Sequence, residues 1–317
     1  MRVAITASGG GHTGYAVAIA QRLRGKVDMV FIVPEGDEWS ASKVEKFGEV
    51  IFVKKARGPK DPLWKCVPLF LKALYQSLRK VRDVDVLIAT GSNHCIPPAI
   101  TAKLKRIKLI AIESSVRFIR PSQSIKLLEP ISDVIALQWP EQKKILPKGV
   151  VVGPLYELPE YKPWNGDYVL VTGGTYGHKL LFDAVSELEL ENVVLQTGRV
   201  DPEPYKKKHL EWAVFQFDPD FGKWLAGACV VVSHLGKTVL DAALTYHKPV
   251  VIVPNPEWRL TAGWEDARVL AKKLNAVLVE EITPKSLLEA IEEAKKLRPP
   301  TYPDGAEKLA REIVELG

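Results

Sequence analysis

Two glycine-rich loops, each carrying a histidine, stand at the start of the two halves of this chain. They are Ser8-Gly9-Gly10-Gly11-His12-Thr13-Gly14 and Thr172-Gly173-Gly174-Thr175-Tyr176-Gly177-His178, and each directly follows a short apolar run, Val3-Ala4-Ile5 or Val169-Leu170-Val171. A strand that ends in glycines and opens a helix turns backbone N–H groups and the positive helix end toward one point, where a phosphate is stabilised. Two such loops predict two open-sheet domains facing each other across a cleft.

Further small or polar clusters follow other apolar runs: Thr90-Gly91-Ser92-Asn93, Glu113-Ser114-Ser115, Gln196-Thr197-Gly198 and Ser233-His234-Leu235-Gly236-Lys237-Thr238. Ligands of open α/β sheets bind beyond the carboxyl ends of the strands, so the shared placement of these clusters predicts that they line one crevice. Gly9, Gly11 and Gly14 also satisfy the dinucleotide fingerprint, with Glu35 near the end of the second apolar run. That makes a nicotinamide-dependent dehydrogenase a formal competitor. The second loop lacks the spacing, and a pyrophosphate cradle has no need of His12.

The elements that position these loops alternate in βαβα order. Runs 27–33, 50–53, 86–89, 109–112 and 134–137 read as strands, with helices such as 15–23 and 99–104 between them; the pattern restarts with strands at 169–171, 193–195, 214–215, 230–232 and 250–253. This is an α/β chain of parallel sheets covered on both faces. The expected domains are 1–157 and 168–300, with the proline-rich stretch 158–167 as linker. The segment 301–317 is expected as a terminal helix that could pack back on the first domain, because Pro299-Pro300 and Pro303 separate it from the helix before it.

The chain has 317 residues, 46% hydrophobic and 26% charged, which suits two globular domains. No apolar run is long enough to span a membrane, no signal peptide is read at the start, and the three cysteines form neither a disulfide framework nor a zinc spacing. A cytoplasmic protein is expected. Residues 1–155 hold 25 Lys/Arg against 13 Asp/Glu, and residues 156–317 hold 19 against 25. A basic first half favours polyanionic partners.

Together these motifs resemble GT-B glycosyltransferases that move N-acetylglucosamine from UDP to a polyprenyl-diphosphate-linked acceptor. Residues 1–156 resemble the membrane-recruiting subunit of the transferase that adds the second N-acetylglucosamine in dolichol-linked oligosaccharide synthesis, through Ser8 to Thr13, Ile112 to Arg117, Gln138-Trp139-Pro140-Glu141 and Val152-Gly153-Pro154. Residues 167–300 resemble its donor-binding subunit, through Val171 to Thr175, Gln196-Thr197-Gly198, Ser233 to Gly236 and Lys248 to Pro254. The lipid II-forming transferase of peptidoglycan is a more distant likeness. Three departures fall in the donor half: His234-Leu235-Gly236-Lys237-Thr238 is one residue shorter than the family's loop, Asp241 stands for its glutamate, and Trp264-Glu265 for its His-Gln pair.

The resemblance implies two Rossmann-like doubly wound domains and an inverting transfer, which needs a base at the acceptor and charge stabilisation at the departing UDP. His12 and Glu113 are the candidates for base or base-orienting partner, with Gly10, Gly11, Thr13, Asn93, Ser114 and Arg117 around the acceptor. Loop-capping by His12 and a helical ion pair of Glu113 with Arg117 are the structural alternatives. On the donor side the expected contacts are Gly173, Gly174, Thr175, Gln196, Thr197, Gly198, Phe217, His234, Gly236, Lys237, Thr238, Trp264 and Glu265, with Asp241 placed to accept from ribose hydroxyls. UDP-sugar is a co-substrate, no other cofactor is expected, and backbone N–H groups take the place of a metal.

The segment 62–78 places Leu63, Trp64, Val67, Phe70, Leu71, Leu74, Tyr75 and Leu78 at helical spacing, with Lys65, Lys72 and Arg79 along it and Lys54, Lys55, Arg57 and Lys60 upstream. It reads either as an interfacial helix on anionic lipid or as a core helix with lysine stems at its edge. An anionic membrane surface, and not nucleic acid, is the expected partner, with the protein peripheral on the inner face of the cell membrane. Two other functions share these features: a UDP-sugar 2-epimerase-like isomerase, and a nucleotide-sugar-binding protein with a degenerate site.

Overall fold

The computed structural model describes residues 1–56, 63–257 and 262–316, with side chains from residue 66 onward in the second stretch. The chain divides into two compact units, Met1–Glu157 with Pro303–Gly317, and Leu158–Tyr302.

The first unit runs β1 (Arg2–Thr6), α1 (Gly10–Leu23), β2 (Asp28–Pro34), α2 (Glu38–Val44), β3 (Glu49–Val53), α3 (Leu63–Lys80), β4 (Val86–Ala89), α4 (Ile96–Leu104), β5 (Lys108–Ile112), α5 (Gln123–Leu128), β6 (Val134–Leu137) and β7 (Val150–Val151). Its seven strands are all parallel, in the order β3-β2-β1-β4-β5-β6-β7. Val3 and Ile5 face one core with Phe31, Val86 and Ile88, while Ala4 faces another with Ile32, Leu87 and Ala89. The two-residue alternation of strand side chains thus fills both faces, which is why these strands read as unbroken apolar runs.

The second unit runs β8 (Val169–Thr172), α6 (Lys179–Val185), β9 (Val193–Gln196), α7 (Glu203–Lys208), β10 (Ala213–Phe215), α8 (Phe221–Gly227), β11 (Val230–Ser233), α9 (Lys237–Leu244), β12 (Val250–Ile252), α10 (Trp264–Leu274), β13 (Val277–Leu278) and α11 (Pro284–Ala294). The parallel order β10-β9-β8-β11-β12-β13 repeats that of the first unit. In both sheets the strand order reverses beside the first strand, between β1 and β4 and between β8 and β11. The two glycine-rich loops therefore both leave from a switch point.

The terminal helix α12 (Gly305–Val314) belongs to the first unit and buries Ala306, Leu309, Ala310 and Ile313 in the core that holds α1. Arg22 of α1, 5% exposed, bonds Asp304 at 2.8 Å, and a Cβ on Gly305 would meet the carbonyl oxygen of Gly153 at 2.2 Å. The stretch 158–167 is not a free linker: Trp164 and Gly166 donate their N–H groups to the carbonyls of Ala226 and Gly227, and Lys248 Nζ donates to the Trp164 carbonyl at 2.6 Å. Prolines exclude it from helix and sheet, yet its aromatic rings and backbone still pack on α8.

Candidate active site

Helix α1 begins at Gly10, five residues before the expected start, so Gly10, Gly11 and His12 form its first turn. His12 Nδ1 lies 2.8 Å from the carbonyl oxygen of Thr90, beyond β4. A carbonyl only accepts, so Nδ1 carries the proton and Nε2 keeps its lone pair; no hydrogen bond engages Nε2 among the described residues. Burial holds the imidazole below its usual proton affinity, against the Thr90 carbonyl, which favours the protonated ring, and Lys55 adds to the lowering. The ring is seated on Gly91, where φ is +111° and a Cβ would meet Cε1 at 2.6 Å. His12 is thus a neutral imidazole fixed at the switch point of the first unit.

One turn on, Tyr15 ties α1 to the loop after β5: its hydroxyl lies 2.8 Å from Ser115 Oγ and accepts the Ser115 N–H at 3.0 Å. Glu113, fully buried, accepts the N–H of Ser114 at 2.7 Å and that of Ser122 at 2.9 Å. Burial pushes its carboxyl up, opposed by those N–H groups and by the charge of Arg117. Residues 113–117 are loop and not helix, which removes the helical ion pair with Arg117 that was the structural alternative for Glu113. The segment that follows β6 braces this loop: Gln138 Nε2 donates to the Glu113 carbonyl, Trp139 Nε1 to that of Ser115, and Gln142 Nε2 to those of Ser114 and Arg117. Tyr15 and Gln142, which hold the loop after β5, were not singled out by residue type; Thr90 and Gly91, which seat His12, belong to a cluster that the sequence placed at a strand end.

Other expected contacts in this unit are already engaged by the protein. Thr13 is buried with its hydroxyl 2.7 Å from Ser40 Oγ, and the Gly9 N–H donates to Asp37 Oδ2 and Ser40 Oγ at 2.9 and 2.8 Å. A carboxylate thus occupies the first amide of the loop where a dinucleotide's pyrophosphate would sit. Glu35, the acid of the fingerprint, accepts from Gln76 Nε2 at 2.7 Å on α3. Asn93 is exposed, in the turn that precedes α4.

In the second unit the loop after β8 closes on itself. Gly174 N–H donates to Thr172 Oγ1, which donates in turn to Gln196 Oε1, and Gly177 N–H returns to the Gly174 carbonyl. Gln196 and Thr197 are buried and Gly198 packs under Gly174, so these three shape the loop. His178 caps α6 by accepting the Leu181 N–H at Nδ1. The start of α9 is different: its cap is Gly236, with no side-chain acceptor. The His234 ring lies against both loops, since a Cβ on Gly174 would meet its Cε1 at 2.6 Å and one on Gly236 its Nε2 at 2.7 Å. Burial lowers both His178 and His234 to about 4, and for His234 the charge of His178 adds to it.

Lys237 and Asp241, expected to reach different parts of a nucleotide, bond each other at 2.5 Å. Phe217 is 46% exposed beyond β10, while Trp264 is half-buried and Glu265 exposed in the first turn of α10. Two Asp-x-Asp spacings do occur, Asp83-Val84-Asp85 and Asp218-Pro219-Asp220; Asp85 accepts the Arg2 N–H, and Asp218 accepts from Asp220 N and Trp224 Nε1. Among the described residues no group of three or more His, Cys, Asp or Glu is placed to hold a metal ion.

On α3 the apolar face divides. Ala73 and Phe70 pack toward the core, whereas Val67, Leu71 and Tyr75, one turn apart, are 60, 59 and 58% exposed, beside exposed Lys72 and Arg79. The expected contributions of the Leu63, Trp64 and Lys65 side chains and of Arg57, Lys60 and Pro62 lie outside the described residues. No helix among the described residues is long and apolar enough to cross a membrane.

Two Rossmann-like α/β domains with parallel sheets of the same order, each with a glycine-rich loop at its switch point, are the domains of the GT-B fold. Residues 3–155 match the model of the oligosaccharide biosynthesis protein Alg14-like family, and residues 168–315 that of the glycosyltransferase family 28 C-terminal domain. The UDP-N-acetylglucosamine–N-acetylmuramyl-(pentapeptide) pyrophosphoryl-undecaprenol N-acetylglucosamine transferase of an Anaeromyxobacter species is 30% identical over 350 residues, covering 100% of this chain and 90% of the relative. The enzyme of that name from Lawsonia intracellularis is 26% identical, covering 88% and 84%. The chain belongs to this family of N-acetylglucosamine transferases, with an Alg14-like first half. Among solved structures, Acinetobacter baumannii MurG has a TM-score of 0.62 at 18% identity, covering 99% of this chain and 98% of that one. A UDP-GlcNAc 2-epimerase from Neisseria meningitidis has a TM-score of 0.65 at 14% identity, covering 100% and 99%. At such identities these two show the fold alone.

Proposed function

We propose that this protein transfers N-acetylglucosamine from UDP-N-acetylglucosamine to a polyprenyl-diphosphate-linked acceptor, with inversion at the anomeric carbon. The observation that carries the reading is the neutral His12 imidazole, with Nδ1–H on the Thr90 carbonyl and Nε2 left as a proton acceptor. The acceptor hydroxyl gives its proton to Nε2 while its oxygen bonds to the anomeric carbon; the bond from that carbon to the diphosphate oxygen breaks and UDP departs with the electron pair. Glu113 holds the loop beside Tyr15 and does not itself remove the proton, since both its oxygens accept backbone N–H groups and none of it is exposed. Negative charge on the departing phosphates is stabilised by the uncapped N–H groups that open α9, around Gly236, Lys237 and Thr238. Gly10 and Gly11, in the uncapped first turn of α1, face the acceptor, and Trp264 and Glu265 face the donor sugar.

The Val67-Leu71-Tyr75 row and the basic side chains around it support attachment of the first unit to an anionic membrane face. The test of the activity is UDP release from a panel of UDP- and GDP-sugars with and without a polyprenyl-diphosphate acceptor. Release that requires both UDP-N-acetylglucosamine and the acceptor supports the transferase. Epimerised sugar without acceptor would make the chain an isomerase, and binding without turnover a degenerate binding protein.

A further inference from the structure

Where the pairing of β1 with β4 ends, side chains take over from the backbone. The register runs from Val3–Val86 to Ile5–Ile88, and because the Ala7 N–H goes to the Ile32 carbonyl of β2, Thr6 is the residue whose backbone faces β4. Continued parallel pairing would take the Thr90 N–H to the Thr6 carbonyl. Two hydroxyls intercept that bond. Thr6 Oγ1 accepts the Thr90 N–H at 3.0 Å, and Thr90 Oγ1 donates to the Thr6 carbonyl at 2.7 Å. The two hydroxyl oxygens lie 3.2 Å apart, and since Thr90 has committed its proton to the carbonyl, Thr6 is the donor between them. Both threonines are buried. Two residues further along each chain, Ser8 Oγ and Ser92 Oγ meet at 2.6 Å. A hydroxyl pair thus holds the Thr90–Gly91 peptide on either side, and that peptide supplies both the carbonyl that accepts from His12 Nδ1 and the glycine on which the ring is seated.

We propose that Thr6 is a positioning residue of His12: with Thr90 it replaces one rung of the ladder by a hydroxyl pair, which sets the Thr90 carbonyl on Nδ1 and keeps Nε2 as the proton acceptor. The inference rests on the reading of His12 as the base of the transfer. Without Thr6 Oγ1 the buried Thr90 N–H must find another acceptor, and the ordinary rung to the Thr6 carbonyl is the alternative. Taking it shifts the Thr90 peptide toward β1 and its carbonyl away from the imidazole, which is then free to carry its proton on Nε2.

Nitrogen NMR of the full chain with labelled histidine, above neutral pH, separates the two neutral tautomers, and the signals missing from His12→Gln assign those of His12. The parent and Thr6→Ser, which keeps the hydroxyl, are expected to show the Nδ1–H form. Thr6→Val has the same shape without the acceptor; it is expected to populate the Nε2–H form and to lower kcat for UDP release on the order of tenfold, with KM for the sugar nucleotide unchanged. Should Thr6→Val fail to fold, Thr90→Val, which keeps the carbonyl and loses the hydroxyl, reads the same signals. A folded valine variant whose His12 retains the parental tautomer overturns the proposal, as does a parent that lacks the Nδ1–H form. A changed tautomer at unchanged kcat upholds the positioning of the ring by Thr6 and removes His12 as the base.

Discussion

His12 donates its Nδ1–H to the carbonyl of Thr90 at 2.8 Å, joining the first turn of α1 to the residue that follows β4. The bond spans the switch point of the sheet and selects the tautomer, so the nitrogen left to accept a proton is Nε2.

Removal of a general base costs on the order of 100- to 10,000-fold in rate. His12→Ala is therefore expected to lose turnover by that factor in an assay of UDP release, with UDP affinity unchanged in calorimetry because the donor loops lie in the other unit. A variant with wild-type turnover would remove His12 from the chemistry. Glu113→Gln should also slow the enzyme, since an amide NH2 would face a backbone N–H, but the acid limb of its kcat/KM profile should stay below pH 6.5 with that of the parent, as the direction of the His12 shift requires.

Gly91 touches no substrate in this reading, yet a methyl group there would meet His12 Cε1 and Nδ1 at 2.6 and 2.7 Å. Gly91→Ala should therefore displace the imidazole and lower kcat by about 100-fold, the effect of a displacement of about 1 Å. The alanine also carries strain of about 1–3 kcal/mol at φ +111°. Unchanged kcat in a folded variant would show that the seat of the ring is not needed.

The exposed row on α3 predicts flotation with anionic vesicles, weakened by salt. Replacement of Val67 and Leu71 by serine should reduce binding at least tenfold, at about 0.8 kcal/mol per buried CH2 withdrawn from lipid, with little change in thermal stability because neither side chain is in the core. Equal flotation of parent and variant would detach this helix from the membrane reading.

His94, His178 and His234 are held near 4 by burial, against 6.5 for an unburied ring. Between those values the unfolded chain binds more protons than the folded one, so stability rises with pH. It should be full above about pH 6.5 and fall toward pH 4, by roughly 3 kcal/mol for each ring at most. Chemical denaturation from pH 7 to 4 measures the slope, and His94→Gln should reduce it. A flat profile would show that these rings titrate normally.

The amino-acid sequence by itself determined the strands, their restart after residue 167 and the membership of two glycine-loop domains. Unbroken β-branched runs bounded by turn residues are local signals, and the edge strands β7 and β13, two residues each, were not read from the sequence. Which polar groups are open to a ligand was decided by the tertiary structure. Thr13 meets Ser40, Gly9 meets Asp37, Glu113 meets Ser122, and Tyr15 meets Ser115, a hundred positions on. Gly9, Thr13 and Glu113 stood in clusters that follow apolar runs and so looked available. A buried donor or acceptor must find a partner, and that partner is chosen by which loops the parallel sheet sets side by side, not by spacing along the chain. Lys237 and Asp241 stand four apart, a spacing the sequence does show; that they meet as a buried pair was decided by the packing around α9.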